Sequence, residues 1–414
     1  MRLFATLLLL AASAPAAETL TLEELERRAL ATNPTLAQAE AAIEIFRAEG
    51  KQAGQYPNPV IGATGDELSP NPTFRGGEVG MFVEQRIVTG GKLTSRRRVL
   101  ASSEERAAAS REVQQWRVKT AVRSLFYEAL AAEREIELAH RLAFIADEAV
   151  SITGELANIG QADQPDRLEA EIEAQSALMD LDRKLLEQRR IWRELGAVTG
   201  DTTLEPLPLD GDLEAFPRLD ADRELQRILS DSPEIQMALA DIRGAEATVA
   251  REKAEVVPDI EVHGGFRNSP FIGPDGRPIG REGFFDVGVE IPVFDRNRGA
   301  IAAARAAAAR AERDVERVKL GLAYRLASLW ESYEAASLMA DRYRTEMLPR
   351  ARAAEKLYAD SFSRMAAAYP QLLIARRRTA RLERDYIEAL ESVWAAATAI
   401  EGMLLTDGLA APME

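Results

Sequence analysis

The segment Glu282-Gly283-Phe284-Phe285-Asp286-Val287-Gly288-Val289-Glu290-Ile291 decides the fold. Successive residues of an extended chain point to opposite faces. Phe285, Val287, Val289 and Ile291 therefore share one side, and Asp286, Gly288 and Glu290 the other. Two more segments repeat the pattern. Along 258–267, Ile260, Val262 and Phe266 oppose Asp259, Glu261, His263 and Arg267. Along 77–88, Val79, Met81, Val83 and Ile87 oppose Glu78, Gly80, Glu84 and Arg86. A fourth segment, 59–68, is weaker, with only Ile61 and Ala63 helping. Stretches of about ten residues with one greasy and one wet side are what tilted membrane-spanning strands require. A small amphipathic sheet packed on helices in a soluble domain would carry the same alternation.

These strands sit inside a duplicated chain. Asn33-Pro34 leading to Tyr56-Pro57-Asn58-Pro59 is echoed by Ser232-Pro233 leading to Val257-Pro258. Val83-Glu84 returns as Val289-Glu290, and Trp192 with Gly200 returns as Trp394 with Gly402. The spacing far exceeds the roughly 20–50 residues of a solenoid unit, so two similar halves are expected. The first, 18–200, reads as helices Leu22–Leu30 and Thr35–Gln55, strands 59–68 and 77–88, and long helices at 92–156 and 166–199. A linker at 201–221 carries Pro206, Pro208 and Pro217, which interrupt regular structure. The second half, 222–405, reads as two helices, strands 258–267 and 282–293 joined by a Pro- and Gly-bearing loop, and long helices at 298–358 and 370–405; 406–414 is a tail. A helix over 92–156 would run on the order of 95 Å. Leu178, Leu181, Leu185, Trp192 and Leu195 form one heptad-like seam, and Val315, Val318, Leu322, Leu326, Leu329 and Tyr333 another.

The chain opens with Arg2, the apolar run Leu3–Ala12 and small residues through Ala17, the pattern of a secretory signal (1–17) cleaved after Ala17. No Cys occurs, which excludes a lipidated N-terminal Cys, disulfides and thiolate metal sites. Past the signal no run of 18 apolar residues exists, so a crossing of the membrane requires a closed β-barrel. Four strands cannot close one, because bacterial barrels begin at about eight. The barrel must be pooled from several copies; two would give about eight strands and three about twelve, and the pattern does not choose. Formal charge is −15, or −16 once Arg2 leaves with the signal. That excludes a nucleic-acid partner and suits a hydrated passage that prefers cations.

Catalysis finds no footing. His140 and His263 are the two histidines, and no nucleophile–base or metal-ligand spacing stands out, so neither enzyme activity nor a cofactor or bound metal is expected. Gly90-Gly91-Lys92-Leu93 is not a phosphate loop, since Leu93 stands where Ser or Thr must follow Lys. Its glycines suit a bend from strand into helix. Asp163, Asp166 and Glu169 are spaced by three at a helix start. Carboxylates there are favoured by the helix dipole. Repeated around an axis, they would also form a cation-attracting ring at a channel mouth. Arg96-Arg97-Arg98 reads either as a wet helix face or as a contact with anionic lipid head groups.

Val289-Glu290-Ile291-Pro292-Val293-Phe294-Asp295-Arg296-Asn297-Arg298-Gly299 and Gln85-Arg86-Ile87-Val88-Thr89-Gly90-Gly91-Lys92 resemble the two strand-to-helix junctions of TolC-type outer-membrane efflux proteins, in particular the heavy-metal branch of CzcC- and CusC-like channels. With the duplication, the resemblance spans essentially the whole mature chain. It implies a mainly α fold with a small β part: antiparallel helical hairpins forming a periplasmic α-barrel, and four strands per chain in a homotrimeric twelve-stranded barrel in the outer membrane of a Gram-negative bacterium. It further implies a passive, gated export conduit, opened by a periplasmic membrane-fusion adaptor and fed by an inner-membrane RND-type pump, with metal cations as cargo. A multidrug or other small-molecule duct of the same fold is one alternative; a periplasmic coiled-coil protein without a pore is another. Ile159-Gly160-Gln161-Ala162 resembles the small-residue turn that receives the adaptor; Phe362 and Arg364 mark the second tip, which lacks the glycine. Junction residues implied are Gly90, Gly91, Lys92, Pro292, Asp295, Arg296, Asn297 and Gly299. Family members carry acids in the equivalent helix of the second half, where this chain has Gln371 and Ile374. The gate candidates are therefore the first-half acids Asp163, Asp166 and Glu169.

Overall fold

A computed structural model describes residues 19–66, 77–160, 162–274, 276–364 and 369–413. The elements run β1 (Leu20–Thr21), α1 (Leu22–Thr32), α2 (Pro34–Ala53), β2 (Val60–Asp66), β3 (Glu78–Ile87), α3 (Lys92–Asn158), α4 (Gln164–Thr199) and β4 (Leu209–Asp210). The second half continues with α5 (Ala221–Asp231), α6 (Pro233–Ala254), β5 (Ile260–Ile272), β6 (Pro278–Val289), α7 (Arg298–Arg342), a π-helical turn (Tyr343–Met347), α8 (Leu348–Ser363) and α9 (Tyr369–Glu401). The expected signal segment and the end of the strand expected over 59–68 lie outside the described residues.

The chain divides into two compact units. One comprises the described part of Met1–Ala37 with Val113–Ser230 and Leu322–Pro412; the other comprises Gln38–Glu112 and Asp231–Gly321 with the last residues. In the first unit the echoed tryptophans are both buried. Trp394 stacks on Tyr127 at 3.4 Å between centroids and donates from Nε1 to Leu213 O at 2.9 Å. Of the first seam, Leu181, Trp192 and Leu195 are buried, whereas Leu178 is exposed. The proline-bearing linker is pinned down. Tyr333 donates to Pro217 O at 2.7 Å, Arg218 forks onto both Asp341 oxygens at 2.8 Å, and β1 pairs in parallel with β4. The tail is also held, because Asn33 and Gln114 both donate to Gly408 O.

The second unit holds the sheet, antiparallel in the order β2-β3-β5-β6. Several boundaries differ from those read in the sequence. The hairpin after 267 is mostly strand: β5 extends to Ile272 and β6 starts at Pro278. Pro270 is accommodated because the pairing slips between Ser269 and Ile272, and Pro278 opens its strand, the two places where a missing N–H is tolerated. At the other end β6 stops at Val289, since Pro292 has no N–H to pair and Val293 N–H turns back to Ile291 O at 2.8 Å. The helix expected over 298–358 is broken by the π turn, directly before Pro349, whose ring and missing N–H disrupt an α-helical ladder. The last helix ends at Glu401 rather than 405; Met403 and Leu404 have positive φ, which reverses the chain.

Candidate functional site

The sheet has two chemically distinct faces. Residues in direct register share a face, so Ile61, Val83 and Phe285 lie on one side, with Met81, Phe266, Ile87, Ile260, Val287 and Val289. Most of these apolar side chains are exposed, with Phe285 at 70% and Ile61 at 69%. The opposite face presents Glu84, His263 and Asp286 in one cross-strand row and, beyond the row of Phe82, Gly265 and Phe284, Arg267 between Glu78 (3.0 Å) and Glu282 (3.7 Å). His263 stands between the Phe82 and Phe284 rings, at 4.8 and 5.1 Å. Phe82 lies over Gly62, where a β-carbon would come within 2.4 Å of the ring. The glycine is therefore what allows the aromatic ring to lie flat on the sheet. Such a face suits water, whereas its opposite suits hydrocarbon.

At the end of the sheet where β3 leads into α3, an ion cluster fixes the junction. Gly90 and Gly91 both adopt left-handed φ (64° and 69°), which turns the chain into the helix and carries Lys92 inward. Lys92 Nζ lies 2.8 Å from Asp259 Oδ1, which also accepts the Thr89 N–H at 3.1 Å. Arg86 Nε donates to Oδ2 at 2.8 Å, and Thr89 Oγ1 donates to Pro258 O. Burial alone would raise the Asp259 carboxyl; Lys92, the Thr89 N–H and Arg86 outweigh it and hold it at about 2. The second junction uses Asn297, at φ 54°, where the first uses glycine. Its N–H bonds to Asp295 Oδ1 at 2.9 Å, and its side-chain amide donates to Glu252 O at 2.8 Å. Pro292, Asp295, Arg296 and Gly299 belong to this bend, and Asp295, Arg296 and Gly299 are exposed.

The helical tips lie in the other unit. Gly160, at φ 76°, ends α3 and donates to Ala157 O at 3.1 Å; Gln161 falls outside the described residues. Ala162 is half-buried and Ile159 is exposed. Asp163 caps α4: its Oδ1 accepts the Asp166 N–H at 3.1 Å, and Asp166 Oδ2 accepts the Asp163 N–H at 3.1 Å. Both carboxylates therefore serve a reciprocal capping box while remaining exposed, as Glu169 does. At the second tip Arg364 is exposed, but Phe362 packs against Tyr369, at 5.5 Å between rings, beside Leu372. It is partly buried against the core of the tip.

Sequence reading misses two sets of residues. Asp259 pairs with a lysine 167 residues away, and nothing local to Pro258-Asp259 signals that partner. Along α9, Arg376, Arg377 and Arg384 pair with Glu148, Glu173 and Asp180 of α3 and α4. Arg376-Arg377-Arg378 stands out in the sequence, but the acidic partners of these arginines and of Arg384 lie about 200 residues earlier. Among the described residues no group of three potential metal ligands converges, and no helix is long and apolar enough to cross a membrane.

Comparison with known proteins gives this geometry a context. The family model described as outer membrane efflux protein matches residues 25–201 and again 225–404, one match per half. The cobalt-zinc-cadmium resistance protein CzcC of Cupriavidus metallidurans is 23% identical over 389 residues, spanning 94% of this chain and 91% of that protein. Among solved structures, a membrane protein from Pseudomonas aeruginosa superposes with a TM-score of 0.76 at 18% identity, covering 92% of this chain and 93% of that one. CusC superposes with a TM-score of 0.73 at 15% identity, covering 96% of each chain. With two family matches that together span most of its length, the chain belongs to the outer membrane efflux protein family.

Proposed function

We propose that the protein is the outer-membrane duct of a tripartite metal-cation exporter, a homotrimer whose pooled strands close a twelve-stranded barrel. The observation that carries this reading is the sheet itself: one face apolar and exposed, the other charged, with β2 and β6 as edges that are unpaired among the described residues. Open edges on a hydrophobic sheet are an aggregation hazard unless another copy pairs with them. Closure also satisfies every backbone group within lipid. Copies joined head to tail generate a ring, which fits strand edges of different identity. The cargo assignment rests on the likeness to CzcC, a cobalt-zinc-cadmium resistance protein, and on the net charge of −15.

The duct does no chemistry. A periplasmic adaptor engages the Ile159–Ala162 turn and the neighbouring tip, and an inner-membrane RND-type pump supplies the driving force. Dilation of the mouth moves α9 away from α3 and α4, so the Arg376–Glu148, Arg377–Glu173 and Arg384–Asp180 pairs are the contacts it must loosen. Extraction tests the core of the reading: the protein should require detergent and run as a heat-modifiable oligomer. Release by a salt wash as a monomer would sink the duct and favour a pore-free coiled coil. A deletion strain should become sensitive to cobalt, zinc or cadmium; sensitivity to drugs alone would replace the cargo with small organic molecules.

A further inference from the structure

The helix-side rim of the sheet carries an apolar strip bordered by four arginines that, among the described residues, form no ion pair. Ile291 follows Val289 at the spacing of Phe285 and Val287, Val293 lies just past the turn at Ile291, and both are exposed. Phe294 follows at 98% exposure. Tyr56, just before β2 at the same end of the sheet, is exposed as well. An aromatic ring is not left fully in water without cost.

The charge around this strip is equally uneven. Both junctions are tied to the end of α6: Arg96 pairs with Glu255 at 2.8 Å, and Asn297 donates to Glu252. This gathers Arg97 and Arg98 of α3 at the same end as Arg296 and Arg298. Three of the local acids are engaged, Asp259 by Lys92 and Arg86, Glu255 by Arg96, and Glu252 by Arg251, whereas Glu290 and Asp295 are exposed and, among the described residues, in no ion pair. Among the described residues, Arg97, Arg98, Arg296 and Arg298 have exposed side chains and no ion pair. Four exposed arginines against two exposed acids leave this rim with a surplus of positive charge on a chain of charge −15, which suits an anionic partner.

We propose that Ile291, Phe294, Arg97, Arg98, Arg296 and Arg298 form a docking belt for anionic phospholipid at the periplasmic leaflet, an inference that rests on the membrane-spanning reading of the sheet. The apolar strip is continuous with the face assigned to hydrocarbon, so its natural cover is the same bilayer. At the level where that band ends, arginine stems lie along apolar surface while the guanidinium groups reach phosphate. Aromatic residues settle at that same boundary.

The test uses the full-length protein in lipid nanodiscs of phosphatidylethanolamine with phosphatidylglycerol, with retained lipids counted by native mass spectrometry. The wild type should retain phosphatidylglycerol severalfold over its share, and salt should weaken that preference. R97Q/R98Q/R296Q/R298Q should abolish the preference, and F294S should lower retention of both lipids. If the fourfold variant does not fold, R296Q/R298Q should still halve the preference. Equal retention of both lipids by wild type, in a protein that enters the disc, overturns the belt alone. Failure to enter any bilayer removes the membrane reading and the belt together. Dissociation of the detergent-solubilised oligomer by F294S, in the absence of added lipid, assigns the strip to a second copy and overturns the lipid.

Discussion

Replacing Lys92 with Met tests whether the ion cluster at the first junction holds strand and helix together. The Lys92 and Asp259 side chains are 5% and 7% exposed, at 2.8 Å. Methionine keeps much of the stem volume but removes the ammonium, leaving Asp259 Oδ1 with only the Thr89 N–H. Breaking a buried pair costs about 3–5 kcal/mol. Arg86, 54% exposed and 2.6 Å from Oδ2, continues to neutralise the carboxylate. The loss should therefore fall at the low end, about 3 kcal/mol. Asp259→Asn should cost a similar amount, because Lys92 is then left buried with Glu255 3.8 Å away. In the double variant neither charge lacks its partner, so the combined loss should be smaller than the two separate losses by about 2 kcal/mol.

Acid gives an independent check. The Asp259 carboxyl is held at about 2 against an ordinary 3.8. As pH falls the unfolded chain takes up this proton first. The stabilisation is thus complete above pH 3.8 and is lost as pH drops through about 2. That interval corresponds to about 2 kcal/mol. In Lys92→Met the carboxyl is less depressed, so the gap between wild type and variant should narrow with acid across the same window. Urea unfolding in detergent, followed by circular dichroism with the slope held common, measures both quantities. A Lys92→Met protein within about 0.5 kcal/mol of wild type at neutral pH, or strictly additive losses in the cycle, would refute the cluster as the junction's fastener.

Three further outcomes are expected. Burial, with Glu128, Glu135 and Glu187 adding to it and Lys184 opposing, holds Glu391 up at about 7 against 4.5. Stability should therefore decline as pH rises from 4.5 through about 7, and E391Q should flatten that part of the pH–stability curve. D163N/D166N/E169Q should lower the cation-to-anion permeability ratio of single channels in planar bilayers; because Asn keeps an acceptor at the cap, D163N should cost only a few tenths of a kcal/mol, against about 1 for D163A. An unchanged ratio would remove the acidic ring. Gly160→Ala places a β-carbon in open space but at φ 76°, so it should cost about 1–2 kcal/mol in urea unfolding, and co-purification of the adaptor should fall with it.

The parts of this fold legible in sequence are those governed by neighbours along the chain. Period-two alternation reveals the four strands because each side chain reports its own face, and heptad spacing reveals Leu181, Trp192 and Leu195 as buried. Boundaries are less legible because proline has two meanings. Pro270 reads as a loop residue until the slip beside it is known, and Pro349 reads as compatible with a helix until the π turn before it appears. Partners across the chain are not legible at all. Lys92 and Asp259, or Arg384 and Asp180, carry no local mark of one another, since charge complementarity is satisfied by any acid the fold brings near.

The tip acids show a different kind of limit. A helix start and a cation-selective mouth ask for the same residue types at the same place, so finding Asp163 and Asp166 there discriminates nothing. Their reciprocal capping bonds supply a complete local reason for both. Glu169 has no such duty, being one turn further on, outside the capping box and exposed. If an acidic ring exists, Glu169 is the member whose presence the helix start does not already explain. E169Q alone should therefore shift ion selectivity while leaving the α4 capping box intact. A selectivity change confined to the Asp163 and Asp166 variants, accompanied by loss of helix, would reduce the ring to helix capping.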